Sequence, residues 1–229
     1  MNPADQAAIK NIAQKIDHTL LKPEATSKEI EKICAEAIHH GFFGVCVNSV
    51  YISLVTKLLK GSSVKPVSVI GFPLGASDTN VKVFECGTAT DLGAEEIDMV
   101  LSIGALKEGL FKEVEKDIEA VVKEAWGRTV KVIIETSLLN QTEKINACKI
   151  VSQSGAQFIK TSTGFAGGGA TFEDVVLFKK HLADHVLIKA SGGIKNLETA
   201  QRFLDLGVSR LGTSSGVQIL MGLNTEGSY

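Results

Sequence analysis

Two lysines in this chain stand where chemistry is to be expected. Lys160 closes the apolar run Gln157-Phe158-Ile159, and Lys189 closes Val186-Leu187-Ile188. Each run has the make-up of a buried strand. Each lysine is followed at once by small polar and glycine residues, Thr161-Ser162-Thr163-Gly164 and Ala190-Ser191-Gly192-Gly193. Lysine is seldom fully buried unless it is paired or used. Desolvated beside a second cation, it loses its proton near neutral pH and attacks carbonyl carbon. Adjacent strands lie ~4.8 Å apart, so the two ammoniums could stand ~5 Å from each other. At an effective dielectric near ~20 their repulsion is about 3.3 kcal/mol, or ~2.4 pK units. A shift from ~10.4 to near neutrality needs ~3.4 units, so the pair supplies most of it and burial the remainder.

Two acids occupy similar runs, Asp17 in Ile16-Asp17-His18 and Asp98 in Ile97-Asp98-Met99. An acid flanked by apolar residues inside a strand is not a solvated surface acid. It neutralises an interior lysine or shuttles protons, and both roles stay open at this point.

The elements that must position these groups follow a simple alternation. Short β-branched runs are predicted as strands at Lys15–Leu20, Gly44–Asn48, Val67–Gly71, Glu96–Leu101, Val130–Glu135, Gln157–Thr161, Val186–Ala190 and Arg210–Gly212. Their spacing of roughly 23–35 residues leaves room for one helix in each interval, as parallel strands require. Ile30, Ile33, Cys34, Ala37 and Ile38 form one helical apolar stripe, opened by a Thr26–Glu29 capping box and closed by Gly41. Val114, Ile118, Val121, Val122 and Ala125 form another, ending at Gly127. Thr171 with Asp174 and Asn196 mark two further starts. Leu92-Gly93-Ala94, Ser154-Gly155-Ala156 and Leu206-Gly207-Val208 each lead from a helix into a strand, a repeated turn. Eight units without a linker predict one (β/α)₈ barrel domain over 1–229. A doubly wound open sheet is the alternative that strand count alone does not exclude. The first 14 or so residues, with Ala7, Ala8, Ile9 and Ile12, read as an extra N-terminal helix covering the lower mouth.

In such a barrel the lysines stand at the C-terminal, upper end of their strands, where active sites form. Three loops at that end are rich in glycine and hydroxyls: Gly164-Phe165-Ala166-Gly167-Gly168-Gly169, Gly192-Gly193, and Gly212-Thr213-Ser214-Ser215-Gly216. Loops after strands seven and eight commonly bind phosphate, and Ser214 and Ser215 would open a short helix there. No arginine or lysine stands inside these motifs, so N–H dipoles would supply most of the grip. Glu135 ends the fifth strand near the same mouth and is a weaker candidate. His181 and His185 have a zinc-like spacing but fall at the opposite mouth without a third ligand, so neither metal nor cofactor is expected. Cys46 reads as packing, because no basic partner is near in sequence.

Composition narrows the partners. Hydrophobic residues at 44% and charged residues at 22% are those of an ordinary soluble protein. The net charge is −2 and no basic run is present, which disfavours nucleic acid and anionic membranes. No apolar stretch reaches the ~18 residues of a membrane span. The N-terminus lacks the order of a secretion signal. Four dispersed cysteines without a C-x-x-C pair read as reduced thiols of a cytoplasmic protein.

Six segments closely resemble the deoxyribose-phosphate aldolase family. They are Ile-Asp-His-Thr-Leu-Leu at 16–21, Glu-Ile-Asp-Met-Val at 96–100, Lys-Val-Ile-Ile-Glu-Thr at 131–136, Phe-Ile-Lys-Thr-Ser-Thr-Gly at 158–164, Ile-Lys-Ala-Ser-Gly-Gly-Ile at 188–194 and Gly-Thr-Ser-Ser-Gly at 212–216. The match runs in order over nearly the whole chain. The resemblance implies a class I aldolase that reversibly cleaves 2-deoxy-D-ribose 5-phosphate to glyceraldehyde 3-phosphate and acetaldehyde without a metal. By it Lys160 forms the Schiff base, Asp98 and Lys189 donate and accept protons, and Asp17 keeps the lysine network in charge balance. Gly164, Gly192, Gly193, Gly212, Ser214 and Ser215 would hold the phosphate, and Thr161 and the terminal Tyr229 would complete the site. Partners would be sugar phosphates and small aldehydes, with a homo-oligomer open. This chain has Phe165 where some members carry lysine, and Lys195 nearest to where some carry arginine.

Overall fold

The computed structural model describes residues 10–222. Its strands are β1 Ile16–Leu20, β2 Gly44–Val47, β3 Lys65–Ile70, β4 Glu96–Val100, β5 Thr129–Ile133, β6 Phe158–Lys160, β7 Leu187–Ser191 and β8 Arg210–Thr213. All neighbours are parallel and the order is sequential. β1 also pairs with β8, which closes the sheet into a barrel and removes the open-sheet alternative. The predicted runs locate all eight strands within a few residues. At β7, Ala190 and Ser191 pair with Leu211 and Gly212, so Lys189 sits mid-strand instead of at its end.

The helices are α1 Ser27–His40, α2 Ile52–Leu58, α3 Thr79–Asp91, α4 Ile103–Lys107, α5 Phe111–Glu124, α6 Gln141–Gln153, α7 Phe172–His181, α8 Leu197–Asp205 and α9 Gly216–Leu220. The Thr26–Glu29 box is formed, and Gly41 ends α1 in the left-handed conformation at φ 66°. Ile30, Ile33, Cys34 and Ala37 of α1 and Val114, Ile118 and Val121 of α5 are buried against the sheet. Each large aliphatic side chain so buried contributes about 1.5–3 kcal/mol. Along each strand the side chains alternate. In β4 and β5, Ile97, Met99, Val130 and Val132 join this outer apolar layer, which leaves Glu96, Asp98 and Lys131 inside the barrel. Of the expected N-terminal helix, Lys10–Ala13 are helical, and Ile12 and Ala13 pack into the outer core. Ala7, Ala8 and Ile9 lie outside the described residues. No helix among the described residues is long and apolar enough to cross a membrane.

Candidate active site

The barrel interior holds an ion-paired cluster of seven side chains. Asp98 is its centre: Oδ2 accepts from Lys160 Nζ at 2.7 Å and from Lys189 Nζ at 2.8 Å, and Oδ1 accepts from Lys131 Nζ at 2.8 Å. Lys189 also bonds Asp17. Asp17 Oδ1 accepts from Arg210 at 2.9 Å, and Arg210 bonds Glu96 at 2.9 Å. Glu96 accepts in turn from Lys131 at 2.6 Å. Lys131, Lys189, Asp17 and Asp98 are wholly buried, and Lys160 is 2% exposed.

Register explains how so many charges fit. Lys160 pairs with Lys189, and Lys189 with Arg210, across β6, β7 and β8. Asp17 pairs with Gly212 on one side and Gly44 on the other. A Cβ on Gly44 would stand 2.9 Å from Asp17 Oδ1, and one on Gly212 would stand 3.1 Å from Lys189 Cε. Glycine at both places makes room for the Lys189–Asp17 pair. Below it, Arg210 lies over the Phe43 ring with its guanidinium carbon 3.3 Å from the centroid.

Burial alone disfavours these charges, and at Asp98, Asp17 and Lys189 the facing charges outweigh it. Burial would raise Asp98, but Lys131, Lys160 and Lys189 hold it well below the usual carboxylate range. Burial likewise opposes the ionisation of Asp17, yet Lys189, Arg210 and Lys131 lower it to about 2. Lys189 is pushed down by burial but held well above the usual lysine range by Asp17 and Asp98. The expected picture of two ammoniums repelling each other is therefore corrected. The 2.7 and 2.8 Å bonds cap their separation at about 5.5 Å, as anticipated, but a carboxylate oxygen stands between them.

Counting charges restores the asymmetry that repulsion was expected to provide. Four cationic side chains, Lys131, Lys160, Lys189 and Arg210, face three carboxylates, Asp17, Glu96 and Asp98. Lys131, Lys189 and Arg210 each pair with two of these carboxylates, whereas among the described residues Lys160 pairs only with Asp98, through an oxygen it shares with Lys189. The cations therefore exceed the carboxylates by one, and Lys160 is the cation held by a single, shared partner.

The structure brings Asp17, Asp98, Lys160 and Lys189 together as expected. Lys131, Glu96 and Arg210 were not foreseen. Glu96 and Arg210 open their strands, where sequence patterning cannot separate an interior charge from a solvated one, whereas Lys131 lies mid-strand between Val130 and Val132, level with Asp98 and carrying the same signal. Cys46 also faces the cluster, with Sγ 4.0 Å from Asp98 Oδ2. Burial and then the Asp98 charge push its thiol up to about 11, in keeping with packing.

Above the cluster, three loops are laced together. Thr161 Oγ1 donates to Ser191 O and accepts from Ser191 N, both at 3.1 Å, so its hydroxyl is engaged as a tie between loops. Ser191 Oγ donates to Ser162 O at 2.6 Å, and Ala170 N to Ser191 O at 3.0 Å. Thr213 Oγ1 donates to Ile194 O at 2.7 Å and accepts from Ser215 N at 2.9 Å. Gly164, Gly192 and Gly193 have φ of 88°, 83° and 77°. Gly212 is buried within β8, Ser214 is exposed, and Ser215 holds the N-cap position of α9. Phe165 meets Phe72 edge to face at 5.3 Å, an apolar contact on the rim. His181 ends α7, away from this mouth. Tyr229 lies outside the described residues.

Fold and site together define a (β/α)₈ barrel enzyme built around a buried lysine cluster. The chain belongs to the DeoC/LacD family of aldolases, whose model matches residues 11–224. It is thus a lyase acting on carbon–carbon bonds. It is 56% identical over 218 residues to a deoxyribose-phosphate aldolase of Bdellovibrio bacteriovorus, covering 95% of this chain and 99% of that one. It is 53% identical over 219 residues to one of Staphylococcus epidermidis, covering 96% and 100%. Among solved structures it resembles the deoxyribose phosphate aldolase of Aeropyrum pernix, described as tetrameric. The TM-score is 0.87 and the identity 32%, over 94% of this chain and 92% of the other.

Proposed function

We propose that this aldolase reversibly cleaves 2-deoxy-D-ribose 5-phosphate to D-glyceraldehyde 3-phosphate and acetaldehyde through a Schiff base on Lys160. The observation that carries the reading is the lone excess cation: Lys160 shares one carboxylate oxygen, while each other cation of the cluster holds two carboxylates. The names of the close relatives support the substrate.

Neutral Lys160 adds through Nζ to the open-chain aldehyde carbon, and the carbinolamine takes a proton from Lys189 and loses water to leave a protonated imine. That cationic nitrogen takes up the electron pair of the C2–C3 bond as the C3 hydroxyl gives up its proton. Glyceraldehyde 3-phosphate leaves, and an enamine remains on Lys160. Protonation of the enamine carbon and hydrolysis then release acetaldehyde and regenerate the neutral amine. Lys189 is charged at neutral pH and supplies a proton, while Asp98 shares protons with it, through water where the substrate is out of direct reach. Asp17 keeps Lys189 charged. The iminium replaces the ammonium as the fourth positive charge, so the cluster stabilises it by the same Asp98 contact.

The phosphate is assigned to the laced loops, with Gly164, Gly192, Gly193, Gly212, Ser214 and Ser215 presenting N–H groups and hydroxyls. Borohydride reduction with acetaldehyde or deoxyribose 5-phosphate, followed by peptide mapping, tests the centre: one label on Lys160 is expected, and none on any lysine refutes the imine. Ser215→Glu tests the phosphate grip. Its KM for deoxyribose 5-phosphate should rise at least tenfold, with little change for unphosphorylated deoxyribose, because like charges at that range repel by about 1 kcal/mol or more.

A further inference from the structure

Glu135 is a buried acid of the upper mouth that the steps above leave unused. It is 1% exposed and follows β5 two residues after Ile133, next to Thr136, whose N–H donates to Thr161 O at 3.0 Å in the loop after Lys160. Its backbone is left-handed, φ 52° and ψ 70°, a conformation that residues with a side chain rarely adopt. Oε2 accepts from Thr163 N at 3.1 Å and from the Thr163 hydroxyl. Thr163 Oγ1 in turn accepts from Phe165 N at 3.0 Å. Oε1 is buried and has no hydrogen-bond partner among the described residues.

A buried carboxylate oxygen left without a donor is costly and uncommon, and strained backbone at the same residue adds to that cost. Both are understandable if a donor arrives with the ligand. The Thr163 proton is committed to Glu135, so toward a ligand this hydroxyl acts only as an acceptor. Two acceptors thus stand together, on Glu135 and on Thr163 three residues after Lys160, and the negative charge there repels phosphate. A hydroxyl group fits this place.

We infer that Glu135 is a specificity-determining residue whose free oxygen takes a hydrogen bond from a hydroxyl on the aldehyde half of the substrate. Thr163 is held beside it by the same carboxylate. This rests on the aldolase reaction proposed above and adds to it the group that reads the carbon chain between carbonyl and phosphate.

The test compares two acceptors in the synthetic direction with acetaldehyde: D-glyceraldehyde 3-phosphate, and 3-oxopropyl phosphate, which lacks the hydroxyl next to the carbonyl. Wild type should favour the first in kcat/KM by tenfold or more, the scale of a hydrogen bond to a charged group. Glu135→Gln, similar in shape but uncharged, should lower that ratio at least tenfold. Equal losses for both acceptors would make Glu135 a brace of the loop and overturn the inference. So would a wild-type ratio near one, which needs no variant. If Glu135→Gln fails to fold, Thr163→Val reads the same ratio. Calorimetric binding of the two acceptors gives it without turnover, so failure of the proposed cleavage is told apart from failure of this assignment.

Discussion

Among the described residues two sites bury lysine completely, and they are built differently. Lys82 lies in the outer layer between α3 and α5, where Nζ bonds Asp117 Oδ2 at 2.6 Å. The other Asp117 oxygen accepts from Thr79 Oγ1 at 2.7 Å. One cation meets one anion, and the pair pins two helices. Inside the barrel four cations meet three carboxylates, and one lysine shares its only anionic partner. Burial of a lysine is therefore not in itself a mark of chemistry. An uncompensated charge among buried ones is. That distinction separates the pair whose loss should cost stability from the cluster whose loss should cost activity.

The sharpest break in this comparison is Lys160→Arg. The guanidinium keeps the charge but cannot form an imine, so borohydride should add no mass and turnover should fall by ~10³-fold or more, to the level left when a nucleophile is removed. Lys189→Leu comes next. It leaves three cations against three carboxylates, so the cluster has no excess cation and Lys160 is held as one of the three. Trapping should persist but slow, with its pH midpoint shifted alkaline. Turnover should fall further, by ~10²–10⁴-fold, because a proton donor is lost as well. A label on Lys189 instead of Lys160 would reverse the two roles.

Lys82→Met probes the other arm. It leaves the Asp117 carboxylate buried and unpaired, which typically costs about 3–5 kcal/mol. Urea unfolding should show that loss, and Lys82→Met/Asp117→Leu should recover much of it. Acetaldehyde labelling of Lys160 should be unaffected in the folded fraction. Slower labelling there would mean that the two lysine sites are coupled, and the comparison would fail.

The fold was largely legible because the outer layer obeys simple rules. Runs such as Val-Cys-Val at 45–47 and the stripe Ile30, Ile33, Cys34, Ala37 report burial directly. Helices α3 and α6 carried no such stripe. The buried face of α3 is Lys82, Cys86, Ala89 and Thr90, half polar because it holds the ion pair. Within the site, Asp17, Asp98, Lys160 and Lys189 stood out as charges amid apolar strand residues. Lys131 carries the same signal between Val130 and Val132, whereas Glu96 and Arg210 do not, because a charge that opens a strand usually reaches solvent. Here barrel closure seals that end: Arg210 reaches Asp17 across 193 residues of sequence and is covered by Phe43. Their burial comes from closure, a property of all eight strands that no local pattern carries.

The smallest expected effect is in the acid limb of stability, and its sign follows from the excess of cations. Asp17 is lowered from 3.8 to about 2 in the folded protein. Below the ordinary carboxylate range the unfolded chain binds a proton that the folded one still refuses. The Asp17 contribution is thus fully present above about pH 4, shrinks as the pH falls toward 2, and amounts to about 2 kcal/mol. Lys189, shifted the opposite way, contributes below its ordinary range near ~10.4 and loses that contribution only at higher pH, so it leaves the acid limb untouched. Urea midpoints measured from pH 5 to pH 2.5 should fall for wild type. Asp17→Asn should start lower at pH 5 and fall less steeply. Equal slopes would mean that Asp17 titrates alike in both states, and the interior cations would then not hold the carboxylates as their number and contacts require.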